Sequence, residues 1–243
     1  MPDTSDIEFK PKIVLGIAAH PDDLDFSASG SMSKWALEGA EVYYLILTDG
    51  SKGSEDRSMT GPQLTKIRMD EQRVAAKVIG AKDVFFLDYP DGMLEVSMDL
   101  KRDIVRVIRK VKPDTVVTMD PTILYDLGWN FVNHSDHRAA GQAAIDAVFP
   151  LARDFLVFPE LHQNEGLEPH KVQNLLLVNF TKANFVVDIS STLDKKINAL
   201  KEHRSQIKDD GNLSKMITER SHQAGLEHGY DYAEKFIKIE MMA

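Results

Sequence analysis

An apolar run over residues 13–19 ends at a group of four ionisable side chains: His20, Asp22, Asp23 and Asp25. Burying such groups is costly unless they are paired or coordinate a metal ion. The side chains of adjacent residues in a turn point in different directions. One aspartate of the Asp22-Asp23 pair can therefore bind a metal ion while the other reaches a water molecule on that ion. This stretch predicts metal-dependent chemistry.

A simpler interpretation exists for each residue of this stretch taken alone. An aspartate before a helix caps the free N–H groups and interacts favourably with the helix dipole. A histidine at the end of a strand can be an ordinary hydrogen-bonded residue. The combination of these residues favours a metal-binding site over a helix cap, because capping needs one aspartate and no histidine. No G-x-G-x-x-G pattern follows this strand, which argues against a nicotinamide site.

A second group of such residues lies in the stretch NHSDHRAAGQAA, residues 133–144. His134 and His137 are three positions apart, so they lie near each other on a helix that Ser135 or Asp136 can cap. Catalytic zinc sites use three nitrogen or oxygen ligands and leave one position open. Because the chain has no cysteine, the ligands must be His, Asp or Glu. An exposed helix start would explain any one of these residues, but not the group.

Both groups follow strands in a chain where strands and helices alternate. The patterns predict strands at residues 12–19, 41–48, 83–87, 115–119, 175–179 and 185–189, and helices at 27–38, 63–79, 97–111, 135–149, 191–207 and 213–237. Alternation of this kind is typical of an α/β fold with a parallel sheet and helices on both faces. Ligands bind such sheets beyond the carboxyl ends of the strands. The two groups are therefore expected at one edge.

Length and composition narrow the class of protein further. The 243 residues, 43 % of them hydrophobic, suit a single domain over residues 1–243. The net charge of −9 argues against nucleic-acid binding. No stretch of 18 apolar residues is present, so no membrane span is expected. The polar N-terminal segment has no apolar region of the kind a secretory signal needs, so we expect a cytoplasmic protein.

Together, AHPDD at residues 19–23 and HSDHRAAG at residues 134–141 resemble the motifs of the PIG-L/LmbE family of zinc-dependent N-deacetylases. Four further segments are similar to this family, so that the resemblance extends over nearly the whole chain: TDGSKG at 48–53, IRMDEQRVAAKVIGA at 67–81, KEHRSQ at 201–206 and YAEKF at 232–236. The resemblance implies a Rossmann-like three-layer fold with a mostly parallel sheet.

The resemblance also implies roles for the residues of the two motifs. His20, Asp23 and His137 match the zinc ligands of the family. Asp22 matches the general base, and His134 the acid or oxyanion partner.

Three further positions come from the same comparison of motifs. Asp136 would orient an imidazole, as groups behind metal ligands do. Arg68 matches an arginine that contacts substrate. Many family members read HPDDE where this chain has Leu24-Asp25. We interpret Asp25 as a supporting or capping residue.

The activity implied is hydrolysis of an N-acetyl or other N-acyl group on an amino sugar, such as a GlcNAc-containing saccharide or conjugate. The cofactor would be Zn²⁺, although Fe²⁺, Mn²⁺ or Co²⁺ can use the same ligands. The partner is a small-molecule amino-sugar substrate, and the resemblance implies a homo-oligomer, either a trimer or a hexamer.

Two alternatives remain open. One is an amidase or deacylase acting on a thiol-sugar conjugate or a secondary metabolite. The other is a non-catalytic sugar or metal binder, although a binder needs neither a base such as Asp22 nor an acid such as His134. Residues 51–62 could close over a ligand, residues 153–172 could bind substrate or another subunit, and Tyr125 or Trp129 could stack on a sugar ring.

Overall fold

The computed structural model describes residues 9–127, 130–208 and 210–242. Within these ranges the strands are β1 (Ile13–Ala18), β2 (Glu41–Thr48), β3 (Asp83–Tyr89), β4 (Thr115–Met119), β5 (Tyr125–Asp126), β6 (Phe131–Val132), β7 (Asn174–Val178), β8 (Phe185–Asp188) and β9 (Ala233–Glu240). The helices are α1 (Asp23–Ser27), α2 (Ser29–Leu37), α3 (Gly61–Ile79), α4 (Met98–Val111), α5 (Ser135–Asp146), α6 (Pro159–Glu165), α7 (Leu193–Lys201) and α8 (Asp210–Leu226). Trp129 lies outside the described residues.

A seven-stranded sheet in the order β3-β2-β1-β4-β7-β9-β8 forms the middle layer. The pairs from β3 to β7 are parallel, and β9 runs antiparallel to both of its neighbours. Side chains of β1 alternate between two apolar cores: Val14 and Ala18 face one, Leu15 and Ile17 the other. Helices cover both faces, so the predicted three-layer α/β fold is confirmed.

The centre of the sheet contains the point where the chain changes direction. From β1 the chain moves outward through β2 and β3, and then returns to place β4 on the other side of β1. A crevice opens at such a point, beyond the carboxyl ends of the two strands. His20 follows β1, and the loop between β4 and α5 leads to His134. The topology therefore brings both motifs to one crevice.

The prediction of one helix over residues 213–237 is wrong at its C-terminal end. Helix α8 ends at Leu226, and residues 233–240 form β9. Gly229 has a φ of 74°, a left-handed conformation that does not continue a helix. Strand β9 hydrogen-bonds to β7 on one side and to β8 on the other. These long-range backbone pairs outweigh the local helical spacing.

Other predictions along the chain also differ from the structure. Helix α5 ends at Asp146, and a π-helical segment, Ala147–Leu151, follows it directly. Phe149 inside this segment is extended, because a residue before proline avoids the helical region. The helix predicted over residues 191–207 covers only Leu193–Lys201. The segment 153–172, for which no helix is predicted, contains α6.

No helix in the parts of the chain that the structure describes combines the length and the apolar character needed to cross a membrane.

Gly141 allows α5 to pack directly on the end of β4. A Cβ atom at this position would lie 2.2 Å from the carbonyl oxygen of Met119. Replacing Gly141 with alanine would therefore force α5, and with it His137, away from the sheet. We expect Gly141→Ala to lower the free energy of unfolding by about 1–3 kcal/mol, measured by urea denaturation. Gln142→Ala, on the exposed side of the same helix, is the control, and equal stability of the two variants would contradict this account.

Candidate active site

The turn after β1 contains a strained residue. Asp22 has a φ of 94°, in the left-handed region that residues other than glycine rarely adopt. Such a conformation costs about 1–3 kcal/mol and persists only where its surroundings hold it. The N–H of Asp22 donates to Oε1 of Gln72 at 2.8 Å, and the guanidinium of Arg68 donates to the carbonyl of Pro21 at 2.8 Å. Arg68 and Gln72 are four positions apart on α3, so one helix face holds the turn.

The strained turn directs the two adjacent carboxylates to different partners. Oδ2 of Asp23 accepts the N–H of His20 at 2.8 Å and lies 3.5 Å from Nδ1 of that ring. Oδ1 of Asp23 lies 3.0 Å from Nε2 of His137. The carboxylate of Asp22 instead lies 3.4 Å from the guanidinium of Arg68. Asp23 thus bridges two imidazoles, while Asp22 stays apart from them.

Helix α5 supplies the other two imidazoles. His134, and not Ser135 or Asp136, is the N-cap residue, since its Nδ1 accepts the N–H of Asp136 at 3.1 Å. Nδ1 of His137 contacts Oδ1 of Asn133 at 3.2 Å, which turns Nε2 towards Asp23. The ring centroids of His134 and His137 are 5.3 Å apart.

Two buried carboxylates hold the ring of His20. Its Nε2 lies 3.1 Å from Oδ1 of Asp91 and 3.2 Å from Oδ2 of Asp136. Asp136 also accepts the backbone N–H groups of Gly92 and Leu94, at 2.7 and 3.2 Å. A carboxylate behind a histidine fixes the orientation and the tautomer of the ring. Nδ1 of His20 therefore faces the centre of the site, while Asp136 contacts the other ring nitrogen, Nε2, and fixes the orientation of the ring.

Asp91 is the main site residue to which the sequence alone assigns no role, although its position after the third predicted strand places it near the predicted crevice. It follows β3, at the same edge of the sheet as the other groups, and this position is the signal that could have assigned it a role. The N–H of Asp91 donates to Asp49 at 3.2 Å, and the N–H of Lys52 donates to Asp91 at 2.9 Å. These contacts join the loops that follow β2 and β3.

The pKa values of the site report an excess of negative charge. Burial alone lowers the pKa of His20, but hydrogen bonds to Asp23 and Asp91 and the charges of both raise it to about 10. Burial raises the pKa of Asp22 to about 6, against the opposing charge of Arg68. Burial and the charge of His20 lower the pKa of His134. A pocket that stabilises a cation on His20 so strongly also suits a metal cation.

The donor atoms fit a divalent metal. Among the described residues, two groups bring one potential ligand atom from each member within 4.8 Å of the others: His20, His134 and His137, and His20, Asp91 and Asp136. Asp23 contacts two members of the first group. The predicted ligands His20, Asp23 and His137 therefore lie together, and nitrogen and oxygen donors of this kind suit zinc.

Arg68 lies at the site, but its guanidinium mainly donates hydrogen bonds to backbone carbonyl groups of the protein. The residue is 5 % exposed. One terminal nitrogen donates to the carbonyl of Gly50 at 3.1 Å and the other to that of Pro21. It lines a polar pocket of about 270 Å³ with Lys52 and Asp91 among others. The guanidinium therefore shapes this pocket and supports the turn at Asp22.

Asp25 is a buried supporting residue and not a helix cap. Its carboxylate accepts hydrogen bonds from the hydroxyl of Tyr44 at 2.9 Å, from Nε2 of Gln72 at 2.8 Å and from Nε2 of His203 at 2.8 Å. His203 comes from the KEHRSQ segment after α7, so a contact between distant parts of the chain anchors the base of the turn.

The His203–Asp25 pair predicts a pH-dependent contribution to stability. Burial lowers the pKa of His203, but the hydrogen bond and charge of Asp25 outweigh it and raise this pKa above 6.5. The stabilisation is then complete below about pH 6.5 and is lost as the pH rises through the raised value. We expect the stability lost in His203→Gln, measured by urea denaturation, to be largest near about pH 6 and smaller at about pH 9.

Exposed His222 provides the matched control for this titration. We expect His222→Gln to change stability little and equally at both pH values. A loss in His203→Gln that is constant or grows with pH would contradict the pairing.

Fold and site together define a class of protein: an α/β fold with a carboxylate–imidazole group, fitted to a metal ion, in the crevice between β1 and β4. The family model described as PIG-L, GlcNAc-PI de-N-acetylase, matches residues 15–148, more than half of the chain. The chain belongs to this family.

Similar proteins support the same assignment. Diacetylchitobiose deacetylase of Thermococcus kodakarensis is 35 % identical over 202 residues, covering 82 % of this chain and 72 % of the relative. The probable N-acetyl-alpha-D-glucosaminyl L-malate deacetylase 2 of Bacillus anthracis is 25 % identical over 238 residues, covering 91 % and 92 %. The solved structure of N,N'-diacetylchitobiose deacetylase from Pyrococcus horikoshii superimposes with a TM-score of 0.86 at 31 % identity, covering 95 % of this chain and 84 % of that one. The predicted family and the enzyme class, an N-deacetylase, are confirmed.

Proposed function

We propose that this protein is a zinc-dependent hydrolase that removes the N-acetyl group from an amino sugar, such as a GlcNAc-containing saccharide or conjugate. The observation that carries this proposal is that the carboxylates of Asp22 and Asp23 point to different partners, Arg68 and His137, with His134 nearby. Metal binding alone needs ligands, whereas an unligated carboxylate and a nearby imidazole suit a hydrolase. The deacetylase names of the relatives support the substrate class.

His20, Asp23 and His137 would hold the metal ion, with Asp136 and Asn133 behind the two imidazoles. A bound Zn²⁺ ion supplies Lewis acidity and lowers the pKa of water from about 15.7 to about 7. Fe²⁺, Mn²⁺ and Co²⁺ accept the same donors, and the metal content of purified protein distinguishes them.

Asp22 serves as the general base. A base works best when its pKa is near the working pH, and burial raises the pKa of Asp22 to about 6. Its carboxylate takes a proton from the attacking water as the amide carbonyl is attacked. The same proton then passes from Asp22 to the amine as it leaves.

His134 stabilises the negative charge that develops on the carbonyl oxygen. Its Nδ1 accepts the N–H of Asp136, so the neutral ring carries its proton on Nε2. The lowered pKa of His134, caused by burial and the charge of His20, favours this neutral form. Nε2–H can donate to the oxyanion without the ring being charged, and donors placed in advance are an effective form of catalysis.

The sugar would occupy the polar pocket that contains Asp22 and His134. Lys52, Arg68 and Asp91 line the same pocket. Charged donors and acceptors of this kind suit ring hydroxyl groups, which lose hydrogen bonds to water on binding. An amidase acting on a thiol-sugar conjugate would use the same residues, so a panel of substrates separates the two functions.

Three expectations about the whole molecule remain proposals. We propose that residues 1–243 form one domain, because the described strands β1–β4 and β7–β9 share one sheet. A homo-oligomer, trimer or hexamer, and a cytoplasmic location stay predictions that sedimentation and cell fractionation test.

Acetate release tests the function directly. Zinc-loaded protein should release acetate from N-acetylglucosamine, diacetylchitobiose or a GlcNAc conjugate. We expect Asp22→Asn to keep its metal and to lose activity by a factor of about 10²–10⁴, because only the proton acceptor is removed. Asp23→Asn is the matched control at the adjacent position and should lose metal as well as activity, measured by elemental analysis.

Full activity in Asp22→Asn would contradict the assignment of the base. Absence of release from all three substrates by protein with one metal ion per chain would contradict the deacetylase function and favour a binder.

A further inference from the structure

We propose that a second, apolar cavity at the metal centre binds the acyl group of the substrate, and that the preferred acyl chain is longer than acetyl. This inference rests on the proposed function and names the substrate class of the same site. The apolar cavity shares His137 with the polar pocket, and Asp23 lines it as well.

The cavity has a volume of about 420 Å³ and reaches the centre at Asp23 and His137. Apolar side chains from separate elements line it, including Phe26 of α1, Met119 of β4, Val178 of β7, and Ile217 and Ala224 of α8. Phe180, 47 % exposed, also lines it. A cavity of this size with apolar walls is typical of a small-molecule site.

Three buried charged groups on its walls, Lys196, Glu234 and Asp120, already have partners in the protein. Lys196 donates to Glu234 at 2.5 Å and to the carbonyl of Phe26 at 2.8 Å. Glu234 also accepts two backbone N–H groups in the first turn of α2. Asp120 accepts from Nδ2 of Asn179 at 2.6 Å. Since these groups are satisfied internally, they do not require a polar ligand.

The two cavities match the two halves of an N-acyl amino sugar. His137 lines both cavities, Asp22 lines only the polar one and Asp23 only the apolar one. The scissile amide lies at the centre, with the sugar on its nitrogen side and the acyl chain on its carbonyl side. Hydroxyl groups require the polar pocket, so the acyl chain extends into the apolar cavity.

The size of the cavity favours more than a methyl group. An acetyl group would leave most of its apolar wall without a partner. Each additional buried methylene strengthens binding by about fourfold. A chain of about six carbons would therefore bind considerably more tightly than acetyl.

Turnover and binding of a chain-length series test this inference. The substrates are N-acetyl-, N-butanoyl- and N-hexanoyl-glucosamine, and the readout of turnover is release of the carboxylic acid by zinc-loaded protein. We expect kcat/KM to rise by at least about tenfold from acetyl to hexanoyl. Ala224→Leu narrows the cavity and should lower the hexanoyl-to-acetyl ratio about tenfold, whereas Glu219→Leu, an exposed position on α8, should leave the ratio unchanged.

Calorimetric titration of Asp22→Asn gives a readout that does not depend on turnover. N-hexanoyl-glucosamine should bind at least about tenfold more tightly than N-acetylglucosamine, and adding Ala224→Leu should remove the difference. Equal binding of the two ligands, or release from the N-acetyl substrate alone, would overturn the inference and leave the proposed function standing. No release from any of the three substrates would overturn the proposed function itself.

Discussion

The site depends on keeping one aspartate in an unfavourable backbone conformation. Asp22 is left-handed, and a chain free to relax would leave that region. Gln72 holds its N–H and Arg68 holds the preceding carbonyl, both from one face of α3. Gln72 also binds Asp25, which His203 anchors from the far end of the fold. Hydrogen bonds from residues far apart in the chain therefore compensate for the backbone strain at Asp22.

This constraint produces the division of labour between adjacent carboxylates. In a relaxed turn the directions of the two carboxylate side chains would not be fixed. Here Asp23 faces His20 and His137, while Asp22 faces Arg68. Close packing of α5 on β4, which Gly141 permits, brings His137 to meet Asp23. A ligand and a base thus come from consecutive residues, and neither can take the place of the other.

Charge balance explains why the arrangement suits a cation. Asp23, Asp91 and Asp136 surround the buried ring of His20. Burying so many carboxylates is unfavourable unless positive charge compensates for them. A metal ion supplies that charge while leaving the imidazoles neutral, which is the form that binds metals.

The sequence alone predicts the parallel sheet and the two motifs, because apolar strands and the residues that follow them are local features. The position of His20 and His134 at one crevice follows from strand order. Other parts of the site depend on contacts between residues that are far apart in the chain. Asp91 follows β3, which β2 separates from β1 in the sheet, and it contacts His20. His203 contacts Asp25 across 178 positions of the chain. Strand β9 was mistaken for helix since its pairing partners come from far earlier in the chain.

The position of the metal is the most direct test of this account. Anomalous X-ray diffraction at the zinc edge from crystals of the zinc-loaded protein would locate the ion. The account predicts one peak bounded by His20, Asp23 and His137, with the carboxylate of Asp22 close by but not bound to the ion. A peak between His20, Asp91 and Asp136, the alternative group of ligands, would contradict it.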